Sequence, residues 1–78
     1  MTRPISQIAL EIFKDWKSPY FGAIPYIRAM RSLSNVNDSY GLDSARSVLS
    51  YFLANAGTWR GETAKRVKTE IKAMLRGN

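Results

Sequence analysis

The chain has 78 residues, a formal net charge of +6 and a sequence pI near 10.1. It contains neither cysteine nor histidine, which excludes disulfides, thiolate metal sites and histidine-based catalysis. We therefore expect a single helical domain over residues 1–78, held together by apolar packing, with no metal and no cofactor. Glu11, Lys14 and Asp15 interrupt the N-terminal apolar stretch, and no apolar run approaches the ~18 residues of a membrane span. These features predict a cytoplasmic protein without a membrane partner.

Apolar spacing predicts an all-α fold, a compact bundle of three longer helices and one short helix. The first helix runs from Pro4 to Trp16, with a stripe at intervals of three and four residues. That stripe consists of Ile5, Ile8, Ala9, Ile12, Phe13 and Trp16. An apolar loop follows, and a short second helix opens at Pro25 and ends near Ser34.

Turn chemistry separates the second predicted helix from the third. Residues 38–41 (DSYG) fit a type I turn, with aspartate first and glycine last. Asp43 is the expected N-cap of a third helix over residues 44–55. Thr58 can cap a fourth helix that runs to about Leu75, and Gly61 leaves the start of that helix open between Trp59 and Glu62.

The fourth predicted helix carries a stripe of positive charge. Lys65, Lys68, Lys72 and Arg76 fall within about 80° of one another on a helical projection, and Arg60 and Arg66 add charge nearby. The stripe is either a contact surface for phosphate or an acidic protein, or a solvated helix side. A standard helix-turn-helix is not expected, because Leu53, Thr63 and Arg66 depart from the residue types of that pattern.

The third predicted helix is nearly uncharged. Between Ser44 and Trp59 the only charged residue is Arg46. The side opposite the apolar stripe contains Ser47, Ser50, Tyr51 and Ala54. Either neighbouring elements cover that side, or it is a flat surface for a partner; Ser47, Ser50 and Ala54 would then be the seam of a homodimer.

Four aromatic residues, Tyr20, Phe21, Tyr40 and Trp59, fall in predicted loops or at helix starts. They are expected to seal the ends of the bundle. The alternative is a contact surface, in which Trp59 and Arg60 would support a protein hot spot or base stacking.

Catalysis finds little support in the sequence. No phosphate-binding loop, dinucleotide fingerprint or nucleophile motif is present, and the 6 acidic residues are scattered along the chain. We therefore expect neither an enzyme nor a small-molecule substrate.

Four segments carry a resemblance: residues 15–30 (DWKSPYFGAIPYIRAM), 40–45 (YGLDSA), 51–56 (YFLANA) and 58–62 (TWRGE). Together they make the chain resemble uncharacterised small helical proteins encoded by phages of actinobacteria. The resemblance implies a mobile-element origin and an accessory role during infection. It assigns no activity and no functional residues.

The sequence thus predicts a small non-enzymatic binding module that engages a host macromolecule, with protein favoured. Nucleic-acid binding through the basic side of the last helix and self-association are the alternatives. The predicted contact residues are Tyr20, Tyr40, Trp59, Arg60, Lys65, Arg66, Lys68, Lys72 and Arg76.

Overall fold

Four α-helices make up most of the computed structural model, which describes residues 3–77. The helix α1 (Ile5–Asp15) is followed by a 3-10 turn (Phe21–Ala23) that leads directly into α2 (Ile24–Met30). The helices α3 (Ala45–Ala54) and α4 (Glu62–Arg76) come after a longer connection. Their lengths of 11, 7, 10 and 15 residues match the predicted three longer helices and one short one. Positions 1, 2 and 78 of the predicted domain lie outside the described residues.

A small antiparallel hairpin precedes α3, so the fold is mostly helical but not purely all-α. The strands β1 (Ser39–Tyr40) and β2 (Asp43–Ser44) pair across a two-residue turn. Gly41, the first turn residue, has φ +61°, whereas Leu42 does not have a positive φ. This is the pattern of a type II′ turn, which suits the twist of a hairpin. The type I turn predicted over residues 38–41 is therefore wrong.

Two predicted helix caps are also wrong. Ser44, not Asp43, caps α3, because its hydroxyl accepts a hydrogen bond of 3.1 Å from the backbone N–H of Ser47. The helix α4 begins at Glu62, within the predicted range, but Gly61 (φ +113°) and not Thr58 occupies its N-cap position. That backbone conformation is accessible to glycine and strained for any other residue, so glycine sets the start of α4.

Each helix packs against two others, in the cyclic order α1, α2, α3, α4. The apolar residues of α1, α3 and α4 meet in the middle, although Phe13, Leu53 and Leu75 are only partly buried. The largest fully buried side chains are Phe52, Ile5, Ile8, Ile12, Ile27, Met30, Leu33, Leu49, Ile71 and Val67. Among residues 3–77, no helix combines the length and the apolarity that crossing a membrane requires.

Candidate interaction surface

The outer side of α3 is open to solvent. The helix α3 packs between α2 and α4, and its buried residues face the core. Four residues lie on the opposite side of the helix. Ser50, Tyr51 and Ala54 are exposed and Ser47 is partly buried. We call these four residues the α3 face. The alternative in which neighbouring elements bury this side is therefore wrong, because α2 and α4 flank α3 without covering it.

Aromatic side chains border the α3 face on the side of α2. The rings of Tyr26 and Tyr51 stack at 5.5 Å between centroids, which joins α2 to the α3 face. Tyr51 remains 54% exposed despite this contact. A surface with exposed tyrosine rings held in place by a neighbour is typical of protein contacts, because the rings bury much area at little loss of conformational entropy.

A shallow depression lies at the C-terminal end of α3. Its volume is about 160 Å³, and its lining includes Tyr20, Ala54, Asn55 and Gly57. Tyr20 is placed there by the close approach of Gly22, where an added Cβ would lie 2.6 Å from the Tyr20 ring. We call this depression the α3 pocket. The predicted contact residue Tyr20 thus adjoins the α3 face.

The basic stripe, which we define as Lys65, Lys68, Lys72 and Arg76, lies on the other side of α3. Two hydrogen bonds fix this arrangement. Arg46 near the start of α3 donates from Nη1 to the carbonyl of Leu75 at 3.0 Å. Lys68 donates from Nζ to the carbonyl of Trp59, beyond the end of α3, at 2.7 Å. The stripe therefore runs antiparallel along the full length of α3.

Three members of the basic stripe are available for a partner. Lys65, Lys72 and Arg76 are exposed, and no carboxylate in residues 3–77 forms an ion pair with them. Lys68 is partly buried, and its ammonium is held by the Trp59 carbonyl and lies 5.9 Å from the centroid of the Trp59 ring. Burial, and then the charges of Lys72 and Arg60, lower the pKa of Lys68. Lys72 and Arg60 thus act on Lys68 together, which indicates positive potential concentrated on this flank.

Arg66 does not belong with the basic stripe. It forms an ion pair with Glu11 of α1, on the other flank of α4. Arg3 also contacts Glu11, at 2.8 Å, and Glu70 of α4, at 2.7 Å. This network of four charged residues ties α1 to α4. The predicted partner contact through Arg66 is therefore occupied within the chain.

Trp59, predicted as a contact residue, is part of the core. It is 2% exposed and stacks on Trp16 at 5.7 Å between ring centroids. The Phe52 ring meets it edge-on at 6.3 Å, and its Nε1–H donates to Asp15 at 2.8 Å. Trp59 seals the bundle, as the first interpretation of the loop aromatics expected, and of the Trp59–Arg60 pair only Arg60 is exposed.

Tyr40 is exposed, but it lies away from Tyr20. It belongs to β1, at the N-terminal end of α3, whereas Tyr20 lines the α3 pocket at the C-terminal end. These ends are separated by the length of α3, about 15 Å for ten residues. The chain thus brings Tyr20, Arg60 and the basic stripe to the α3 face and leaves Tyr40 at its margin.

Two strongly exposed apolar residues are absent from the predicted contact residues. Phe21 is 77% exposed and does not seal the bundle as predicted, and Leu42 at the hairpin tip is 106% exposed. The sequence places Tyr51 on the outer side of α3, but Tyr51 is not among the predicted contact residues. All three are large residues with apolar surface that lie outside the predicted apolar stripes of the helices.

No protein family, curated protein or solved structure matches the chain.

Proposed function

We propose that the chain is a small non-enzymatic binding module that engages a partner protein through the α3 face. The observation that carries this proposal is an exposed helix side without charge, bordered by the Tyr26 ring on one side and by the basic stripe on the other. An uncharged centre with a charged rim is the usual anatomy of a protein–protein contact.

The engagement of the acidic residues supports a non-enzymatic role. Glu11 and Glu70 form ion pairs with Arg3, and Asp15 accepts a hydrogen bond from Trp59. Asp38 accepts backbone hydrogen bonds, including one of 2.7 Å from Ser34. These carboxylates hold the fold together, whereas general acid–base catalysis requires carboxyl groups that converge on a cleft.

The resemblance to small phage proteins adds a biological setting to the proposal. On that basis the chain is an accessory protein of a phage or another mobile element, and it acts on a host protein in the cytoplasm. Small size and an exposed, uncharged helix side suit a protein that works by covering the surface of a larger one.

Photo-crosslinking in host cells tests the proposed function. Benzoylphenylalanine replaces Ala54 on the α3 face in one variant and Lys14, an exposed residue of α1, in a matched control. We expect protein adducts of discrete mass from position 54 that survive nuclease treatment, and far fewer from position 14. Equal adduct yields from the two positions, or adducts that nuclease removes, would contradict the proposal.

Nucleic-acid binding is the second candidate, and the unpaired cations of the basic stripe favour it. If Arg60, Lys65, Lys72 and Arg76 each neutralise one phosphate, log K for duplex DNA should fall with log salt with a slope of about −3.6. Lys72→Glu should weaken binding and flatten that slope, and Lys14→Glu should change neither by much. A shallow slope with weak affinity would eliminate this candidate.

Self-association through Ser47, Ser50 and Ala54 is a further alternative. The exposure of Ser50 and Ala54 favours it, because small side chains let two helices approach closely. The net charge of +6 on each copy opposes it. Sedimentation equilibrium at high and low salt decides the question, since a monomer under both conditions eliminates a homodimer.

A further inference from the structure

The α3 face and its two borders form one continuous surface with an asymmetric distribution of charge. Across it, the order is the Tyr26 ring of α2, the uncharged α3 face, and the basic stripe of α4. Residues 45–60 contain no acidic residue, and no carboxylate of residues 3–77 forms an ion pair with the basic stripe. A partner that fits this surface is apolar in the middle and acidic along one edge.

The shape of this surface favours a helix as the part of the partner that makes the contact. The α3 face is a single helix side about 15 Å long, and its small residues, Ser47, Ser50 and Ala54, follow spacings of three and four. Such spacing allows a second helix to pack its ridge against α3. The α3 pocket at one end, lined by Tyr20 and Ala54, suits one apolar anchor side chain of that helix.

Nucleic acid fits the same surface less well. The Lys68 ammonium and the Arg46 guanidinium are hydrogen-bonded to carbonyls of the chain itself, so they have less capacity to meet a phosphate. The cations also lie along only one edge of the surface. The centre of the surface has no charged donor to offer a polyanion. A phosphate backbone would therefore leave the α3 face and the α3 pocket unused.

We infer that the partner presents an acidic amphipathic helix, which lies along the α3 face with an apolar side chain in the α3 pocket and carboxylates toward Lys72 and Arg76. The inference rests on the proposed function, because it names the element of the partner protein that makes the contact. The carboxylates supply the charge that the basic stripe lacks within its own chain, and the apolar side chains cover Tyr51 and Ala54.

A designed peptide serves as the probe. It has about 14 residues, roughly 21 Å as a helix, with leucines at intervals of three and four and glutamates along one adjacent flank. A second peptide carries lysine in place of each glutamate, and a third has the leucine positions scrambled. Fluorescence anisotropy measures affinity, and amide chemical shifts of the labelled protein locate the contact.

Two variants separate anchoring from charge. Ala54→Arg fills the α3 pocket and adds positive charge. If charge alone held the peptide, this variant would bind it more tightly. We expect instead that the affinity for the peptide falls by about tenfold. Lys72→Glu should also weaken binding by about tenfold, and Lys14→Glu, with the same change of charge, by no more than about twofold. We expect the lysine and scrambled peptides to bind poorly.

The inference is overturned if Ala54→Arg binds the acidic peptide as well as the wild type does, or if Lys14→Glu weakens binding as much as Lys72→Glu. It is also overturned if the shifts map away from the α3 face, or if duplex DNA of equal charge binds more tightly than the peptide. If the peptide does not bind but position 54 still yields protein adducts, the acidic helix is rejected and the proposed function is kept. Absence of those adducts rejects the proposed function itself.

Discussion

At the scale of single residues, Trp59 shows why a contact candidate in sequence becomes a core residue in the fold. Its location between two predicted helices, beside Arg60, is compatible both with an end seal of the bundle and with an exposed contact residue. Its ring stacks on Trp16 and its Nε1–H reaches Asp15, both more than forty positions earlier in the chain. Periodicity reports which residues share a helix side, and it carries no information about such distant partners.

Replacement of Trp59 should therefore affect folding before it affects binding. Trp59→Ala removes a buried indole and should lower the free energy of unfolding by about 3–5 kcal/mol. Asp15→Ala, which leaves the ring but deletes the hydrogen-bond acceptor, should lower it by about 1 kcal/mol. Urea unfolding followed by far-ultraviolet circular dichroism measures both. A Trp59→Ala variant as stable as the wild type would show that the ring is not part of the core.

At the scale of elements, the long helices could be predicted from the sequence and the hairpin could not. Ile5, Ile8 and Ile12 repeat at helical spacing, and the structure buries all three. The strands β1 and β2 have two residues each, too short for any alternating pattern to be visible. Asp43 and Ser44 are both good N-caps by residue type, and only the hairpin geometry decides that Ser44 takes the role.

The start of α4 depends on the backbone of Gly61. Its φ of +113° and ψ of −179° belong to a region that is essentially restricted to glycine. Gly61→Ala should therefore lower the free energy of unfolding by about 1–3 kcal/mol. Gly57→Ala is the matched control, because neither position has an atom within 4 Å of an added Cβ and Gly57 lacks a positive φ.

Thermal or urea unfolding of the two variants isolates the backbone effect. We expect Gly57→Ala to be neutral or to stabilise slightly, by less than about 1 kcal/mol, through the unfolded chain. Equal stability losses at the two positions would contradict the assignment of Gly61 as a conformational requirement.

At the scale of the whole molecule, the surplus of positive charge was predictable, but its distribution was not. The count of 12 basic and 6 acidic residues is visible in the sequence. Which cations lose their availability depends on tertiary contacts: Arg66 pairs with Glu11, and Lys68 bonds to a carbonyl. Among the six predicted contact cations, Lys65, Lys72, Arg76 and Arg60 are exposed without an ion pair to residues 3–77, whereas Arg66 is exposed but paired and Lys68 is partly buried.

The network between α1 and α4 makes stability depend on pH. Burial alone would raise the pKa of Glu11, but hydrogen bonds from Arg66 and Arg3 outweigh it and hold the pKa below its ordinary value of 4.5. An acid with a lowered folded-state pKa stabilises the fold above the unfolded-state value. That contribution disappears as the pH falls through the folded-state pKa.

Glu11→Gln should therefore lower stability by about 1 kcal/mol at neutral pH, and the difference from the wild type should shrink below pH 4.5. Urea unfolding across the acid range measures this dependence. Asp43→Asn, at an exposed position of β2, should follow the wild-type curve. A Glu11→Gln variant that keeps a constant difference from the wild type at all pH values would contradict the role of the ionised carboxylate.

One side of α3 is buried, and we propose that the other is free for a partner. Proton relaxation enhancement by a soluble gadolinium chelate, measured along α3 in dilute protein, distinguishes the two sides. We expect strong enhancement at Ser50, Tyr51 and Ala54 and weak enhancement at Val48, Leu49 and Phe52. Uniformly weak enhancement along α3 would contradict this expectation, because another segment or a second copy would then cover the α3 face.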